Sequence, residues 1–169
     1  MASGDSTPNP KGYTMGIDYA GPIDPDVDGN KYWMQGVDTS HTGLGFVRLQ
    51  RDKSGSSGLK SLLSMDREMQ TTLTDPIPMI RVHSDEDKSF IEGDMAAHLL
   101  ENKVEQTHTG GHRPSNNAKT EKRIGLVSYY MKAILYQATG GTRYYDMLWG
   151  PAVVHANNMN NYNEWSDGT

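Results

Sequence analysis

The alternation of apolar and polar residues predicts five strands and four helices. Three strand-like segments come first: YTMGIDYA (13–20), KYWMQGVDTS (31–40) and GLGFVRLQ (43–50). An Asp28-Gly29 turn signal separates the first two, and the three together predict an antiparallel meander. Apolar residues at helical spacing then occur in SLLSMDREMQTTL (61–73), and this helix must end before Pro76 and Pro78.

The second half of the chain alternates strands with helices. IPMIRVHS (77–84) reads as a strand, SFIEGDMAAHLLENK (89–103) as a helix, and KVEQTH (103–108) as another strand. In the 89–103 helix the apolar positions are Phe90, Met95, Ala97 and Leu100. A long helix is predicted over 118–138 and a last one over about 145–158. The fold class is therefore α/β, a mixed five-stranded sheet with helices on both faces.

Length and composition indicate one folded domain. We expect a flexible leader at 1–12, a core at 13–163 and a flexible tail at 164–169. The 169 residues include no cysteine, which excludes disulfides and cysteine zinc sites and fits an intracellular protein. No apolar run is long enough to span a membrane, so no membrane partner is expected. The net charge of -5 argues against a simple basic surface for nucleic acid, although bound metal ions would neutralise carboxylates.

Three carboxylates stand out by position. Asp18 is near the end of the first strand, Asp85 directly follows the fourth, and Glu121 lies in the first turn of the long helix, beside its apolar stripe. Acids at neighbouring strand ends can converge on one cleft, where they repel each other unless hard cations such as Mg²⁺ or Mn²⁺ lie between them. A structural reading stays open, because acids are also common in loops and in first turns of helices.

Thirty-five residues separate Asp85 from Glu121. This interval resembles the D,D(35)E signature of retroviral and retrotransposon integrases. Further segments resemble that family in the same order: GIDYAGPI its first-aspartate segment, KYWMQGVDTS the strand "YFLVFVDDFSR", and HSDEDKSF the segment "SDNGxEF". RPSNNAKTEKRIG resembles "TPQQNGVAERKNR", and YYDMLWGPAVVHANNMNN resembles a helix of copia-type retrotransposons.

The resemblance implies an RNase H-like integrase catalytic core. Such a core would use two Mg²⁺ or Mn²⁺ ions for 3′-end processing and strand transfer of element DNA into target DNA, in the nucleus, as a homo-oligomer. The metal-holding and catalytic residues would be Asp18, Asp85 and Glu121. Gly110 and Gly111 would lie in the family's flexible catalytic loop. The residues placed to contact DNA would be Asn116, Asn117, Lys119, Lys122 and Arg123.

The chain also departs from the family pattern. Glu86-Asp87 stands where the family has Asn-Gly, Ser89 where it has an acid, and Ala118 where it has glycine. Extra negative charge at this point favours an alternative, a catalytically silent integrase-like module for assembly or DNA tethering. A related transposase or nuclease is a third possibility. The family's flanking zinc and DNA-binding domains have no counterpart in these residues, so we expect an excised core or a domesticated fragment.

Overall fold

The computed structural model describes residues 12–109, 117–142 and 146–166, with side chains as far as Tyr162. Five strands form one sheet in the order β3-β2-β1-β4-β5. β1, β2 and β3 are antiparallel neighbours, whereas β1, β4 and β5 run parallel. The predicted meander and the mixed five-stranded sheet are thus confirmed. The strands are β1 (Tyr13–Ala20), β2 (Tyr32–Asp38), β3 (Gly45–Gln50), β4 (Met79–Ser84) and β5 (Glu105–His108).

Helices cover both faces of this sheet, as predicted. Two separate clusters of buried side chains show this: the first joins the sheet to α1–α3, and the second joins it to α4 and α5. Within the described ranges no helix has the length and apolar character needed to cross a membrane. The helices are α1 (Gly55–Thr72), α2 (Lys88–Ile91), α3 (Gly93–Glu101), α4 (Ala118–Thr139) and α5 (Trp149–Ser166), with a 3₁₀ turn at Asp146–Leu148.

The alternation along β1 divides its residues between the two faces. Tyr13, Met15 and Ile17 are completely buried in the first cluster, with α1 and α3. Thr14, Gly16 and Asp18 therefore point to the opposite face, which α4 covers. The central strand thus contributes apolar side chains to one side and delivers Asp18 to the other.

The second cluster fixes α4 and α5 against the sheet. Val127, Met131 and Leu135 form the buried stripe of α4, in agreement with the predicted periodicity. Trp149 at the start of α5 is buried against Trp33 of β2, with ring centroids 5.9 Å apart, and its indole N–H donates to the Asp24 carbonyl at 2.8 Å. This packing holds α4 and α5 together on the second face of the sheet.

Two helix predictions need correction. The single helix predicted over 89–103 is two helices, because the chain turns at Gly93, whose φ of +70° favours glycine. The break changes which side faces the core, so Leu99 is buried and Leu100, predicted as an apolar core position, is 81% exposed. The last helix begins at Trp149 and continues to Ser166, beyond the predicted end at 158.

Candidate active site

Two of the three predicted carboxylates lie at the carboxyl ends of adjacent parallel strands. β1 and β4 pair in parallel, with Gly16 opposite His83. Continuing this register by two residues places Asp85 beside Asp18, and neighbouring strands are about 4.8 Å apart. Asp18 Oδ1 accepts a hydrogen bond from the Tyr19 backbone N–H at 2.7 Å, and Asp85 Oδ1 accepts one from Asp87 N–H at 3.2 Å. Both side chains are partly exposed at this edge.

The start of α4 reaches the same edge because Gly16 allows a close approach. A Cβ at Gly16 would collide with Thr120 Oγ1, so α4 lies directly on β1 two residues before Asp18. Glu121 follows Thr120 and is exposed in the first turn. Asn117, at the N-cap of α4, is 2% exposed, and its Nδ2 donates to Asp18 Oδ2 at 3.5 Å. The fold thus brings the three carboxylates to one edge of the sheet.

The pKa of Asp18 reflects its burial and the charges of the other two carboxylates. Burial raises the pKa of Asp18 to about 6, with further contributions from the charge of Asp85 and then Glu121. The Tyr19 N–H and the ammonium of Lys53 act in the opposite direction. Asp18 is therefore a carboxylate whose charged form is poorly compensated by the protein itself.

The chemistry of these donors suits a hard divalent cation. Carboxylate oxygens are the preferred ligands of Mg²⁺ and Mn²⁺, and a cation between them would relieve the repulsion that raises the pKa of Asp18. Asn117 Oδ1 adds a buried amide oxygen without a hydrogen-bond partner among the described residues. The described part of the chain nevertheless contains no group of three His, Asp or Glu side chains close enough to hold a metal ion as it stands. The oxygen donors are of the type that Mg²⁺ and Mn²⁺ prefer, and the three carboxylates do not form a closed set of ligands.

The three consecutive acids after β4 have different surroundings. Asp87 is the N-cap of α2: its carboxylate accepts from Ser89 N–H at 3.0 Å and from the Ser89 hydroxyl at 2.7 Å. It also pairs with Lys53 Nζ at 3.1 Å. Burial would raise the pKa of Asp87, but these bonds outweigh it and lower the pKa. Glu86 is exposed. Only Asp85 continues the line of β4 towards Asp18.

The residues predicted to contact DNA fall into three groups. Lys119 and Lys122 are exposed on the first turns of α4, where a phosphate has access to them. Asn117 and Arg123 are buried, and Arg123 donates to the Gly43 carbonyl at 2.8 Å, so both side chains contact other parts of this chain and their contact with DNA stays a prediction. Asn116, together with the loop glycines Gly110 and Gly111, lies outside the described residues.

Sequence reasoning did not identify Lys53. It lies between β3 and α1, and its ammonium pairs with Asp87 and stands 5.0 Å from the centre of the Tyr19 ring. It is also the cation that lowers the pKa of Asp18. No local sequence pattern predicts these contacts of Lys53, because its partners are distant in sequence. Arg81 and His83 were also missed, although they alternate with Asp85 along one strand face, a signal available in the sequence.

The fold has known counterparts. The chain resembles the catalytic core domain of BIV integrase with a TM-score of 0.56 and 14% identity, over 92% of this chain and 98% of that one. The chain has the fold of a retroviral integrase catalytic core. The HTLV-2 integrase catalytic core, solved in complex with magnesium in a trimeric form, gives a TM-score of 0.57 at 10% identity, over 86% of this chain and 82% of that one.

A chain of a larger viral assembly has a similar fold. In the simian T-cell lymphotropic virus intasome with the PP2A regulatory subunit B56 gamma, the TM-score is 0.64 at 12% identity, over 86% of this chain. This chain spans 46% of that one. No known family profile matches the sequence, and no curated protein matches it significantly. The likeness therefore lies in the integrase core fold.

Proposed function

We propose that this chain is the catalytic core of an integrase-type enzyme, a metal-dependent polynucleotidyl transferase that processes and joins DNA ends. The observation that carries the proposal is the convergence of Asp18, Asp85 and Glu121 at one sheet edge, where burial and then the charge of Asp85 raise the pKa of Asp18. The integrase core fold and the magnesium complex of the HTLV-2 core support it.

In this proposal each residue has a stated task. Asp18, Asp85 and Glu121 hold Mg²⁺ or Mn²⁺, and the bound ions supply Lewis-acid activation of the attacking oxygen and stabilisation of the leaving oxygen. Lys53 limits the accumulated negative charge through its contacts with Asp87 and its attraction to Asp18. Lys119 and Lys122 neutralise phosphates of the DNA strand and fix its register.

A homo-oligomer forms part of the proposal. The HTLV-2 core occurs in trimeric and dimeric forms. In this chain Tyr129 and Tyr136 on α4 and Tyr162 on α5 are each at least two-thirds exposed. Large aromatic side chains at the surface are typical of protein interfaces.

A second candidate is a catalytically silent module of the same fold. The observation that favours it is the open arrangement of the carboxylates, since no closed set of three ligands exists among the described side chains. A silent module would bind or tether DNA through Lys119 and Lys122 without cleaving it.

A DNA disintegration assay with Mn²⁺ on a branched substrate tests the proposal. We expect Asp18→Asn, Asp85→Asn and Glu121→Gln each to lose more than the roughly 10- to 100-fold that follows loss of an outer-shell partner of a metal site. Glu86→Gln is the matched control, because Glu86 is an exposed acid next to Asp85. It should remain within about twofold of wild type, since isolated surface changes have small effects. Wild-type protein no more active than Asp85→Asn would overturn the enzymatic proposal and favour the silent module.

A further inference from the structure

A second polar cleft lies on the α4 face of the sheet, between β1, β4, β5 and the start of α4. Its volume is about 400 Å³, within the range of small-ligand pockets. Two cationic side chains, Arg81 and Lys119, and the imidazole of His83 line it. The remaining lining side chains all carry hydroxyl groups: Thr14, Thr39, Ser40 and Thr107. Every lining side chain is therefore a hydrogen-bond donor or can act as one.

This cleft is separate from the carboxylates but shares their sheet face. Thr14 pairs with Arg81 across β1 and β4, four residues before Asp18 and Asp85 on the two strands. At about 3.3 Å per residue the Thr14–Arg81 end of the cleft lies roughly 13 Å from the carboxylates, and His83 lies about half as far from Asp85. Alternation by two keeps Arg81, His83 and Asp85 on one side of β4. A single extended ligand would be able to follow this face from one site to the other.

Lys119 and Arg81 each keep N–H groups that are available to bind a ligand in the cleft. Lys119 Nζ donates to the Thr39 carbonyl at 2.7 Å, which leaves two of the three ammonium hydrogens. Arg81 donates from Nε and Nη2 to the Glu105 carboxylate at 2.7 and 2.6 Å, so Glu105 offsets part of its charge. Both partners of this pair are about half exposed, and such pairs are weak. The Arg81 Nη1 group has no recorded partner among the described residues.

The buried ring of His83 is a second observation, independent of the charges in the cleft, that points to a ligand. It is 5% exposed, and its Nδ1 lies 2.8 Å from Thr107 Oγ1. Its Nε2 is buried and has no hydrogen-bond partner among the described residues. The Thr107 hydroxyl lies 2.8 Å from Nδ1 and a longer 3.5 Å from the Val82 carbonyl, so we assign its hydrogen to Nδ1. The ring hydrogen is then on Nε2 and has no acceptor among the described residues. Buried polar groups are nearly always paired, so this N–H indicates an acceptor that binds in the cleft.

We propose that this cleft is a subsite for a phosphate-class oxyanion, with Lys119 and Arg81 supplying positive charge and His83 Nε2–H a directed hydrogen bond. Phosphate offers several strong acceptor oxygens, which match a lining made of donors. The ligand would be either free phosphate or a phosphodiester of a nucleic acid strand. The second source rests on the proposed function, because it requires a strand that also reaches Asp18 and Asp85.

Metal-free NMR titration of the histidine ring nitrogens with inorganic phosphate is the test, at constant ionic strength maintained with sodium chloride. We expect a saturable shift of the His83 Nε2 resonance. Arg81→Gln and Lys119→Gln should each weaken binding roughly fivefold or more, since charge-assisted hydrogen bonds are lost. Lys132→Gln is the matched control, because Lys132 is an exposed lysine on the same helix outside the cleft, and it should leave the affinity unchanged.

A second titration with a short single-stranded oligonucleotide distinguishes the two sources. A His83 shift with both ligands assigns the subsite to a nucleic acid strand, and a shift with phosphate alone assigns it to the free anion. No saturable shift with either ligand would overturn the proposal, as would equal affinities in wild type, Arg81→Gln and Lys119→Gln. Loss of DNA joining would not affect this result, because neither metal nor catalysis enters the measurement.

Discussion

Asp38 and Asp18 are two aspartates on adjacent strands with opposite surroundings. Asp38, at the end of β2, is completely buried and accepts five hydrogen bonds from Ser40, His41 and Thr42, at 2.7–3.2 Å. Burial alone would raise the pKa of Asp38, but the bonds from Thr42 and Ser40 outweigh it and lower the pKa. Asp18 has one backbone donor at 2.7 Å and a long bond from Asn117 Nδ2 at 3.5 Å. Burial and two nearby carboxylates raise its pKa to about 6.

The difference separates a carboxylate held by its own turn from one that we propose to be functional. The turn after β2 supplies Asp38 with all the donors that its charge requires, so nothing remains for a ligand to add. At the edge of β1 and β4 the protein offers too few donors and positive charges to balance the charge of Asp18. A bound cation would supply that missing positive charge. The degree of compensation, more than burial, distinguishes the two roles.

The largest expected effect is that of Asp38→Ala. Removing this carboxylate leaves several donors of the turn unpaired, and we expect the free energy of unfolding to fall by about 3–5 kcal/mol. Urea denaturation at pH 7 measures it. Because the pKa of Asp38 is lowered, its stabilisation is present above the unfolded value near 3.9 and is lost as pH falls through the folded value. A loss below about 1 kcal/mol would show that the five hydrogen bonds do not make Asp38 structural.

Asp18→Asn should act in the opposite direction in metal-free protein. A raised pKa means that ionisation of Asp18 costs stability as pH rises from about 4 to about 6, and that the cost is constant above this window. Allowing for solvent screening of this partly exposed group, we expect the variant to gain about 1–2 kcal/mol at pH 8 and almost nothing at pH 3.5. Denaturation of both proteins in EDTA at the two pH values measures this. A variant less stable than wild type at pH 8 would place Asp18 with Asp38 as a structural carboxylate.

Asp87→Ala should lower the free energy of unfolding, as Asp38→Ala does, but by less. The substitution removes the N-cap of α2, which is worth about 1 kcal/mol, and an ion pair with Lys53 that adds little. Thermal unfolding should show a modest loss, and Asp87→Asn should recover most of it because asparagine also caps helices. Equal losses in both variants would indicate that the charge of Asp87, and not the cap, stabilises the protein.

Glu86→Gln should change the least. Glu86 is exposed and has no recorded side-chain hydrogen bond or ion pair among the described residues, so we expect a change within about 0.5 kcal/mol at pH 7. Thermal unfolding alongside Asp87→Ala is the direct comparison. A stabilisation as large as that of Asp18→Asn would show that Glu86 also takes part in the repulsion among the carboxylates. The three consecutive acids would then not differ as described.

Much of the fold was predictable because local patterns decided it. The alternation along β1 and the stripe Val127, Met131 and Leu135 on α4 follow from simple periodicities that the structure preserves. The 89–103 segment was mispredicted because a single glycine, Gly93, reorients the chain within an otherwise helical pattern. The end of α5 was missed because its sequence is polar, whereas Asn161, beyond the predicted end, exchanges hydrogen bonds with the backbone of Gly45 at the start of β3.

The site was predictable only in part. Asp18, Asp85 and Glu121 were singled out by their positions relative to predicted elements, and the 35-residue interval with its resemblance to integrases gave them a catalytic interpretation. Parallel pairing of β1 with β4 explains why the first two meet. The contributions of Lys53 and Asn117 depend on contacts between distant segments, which no local pattern encodes. The separate roles of Asp85 and Asp87 likewise required the helix cap to be seen.

Calorimetric titration with Mn²⁺ at pH 7.5 tests the central claim most directly, namely that Asp18 belongs to a divalent-metal site. Wild type, Asp18→Asn and Glu86→Gln are compared under identical conditions. We predict saturable binding to wild type and to Glu86→Gln, and loss of that binding in Asp18→Asn, because a ligand and its charge are removed together. Indistinguishable titrations of wild type and Asp18→Asn would contradict the account.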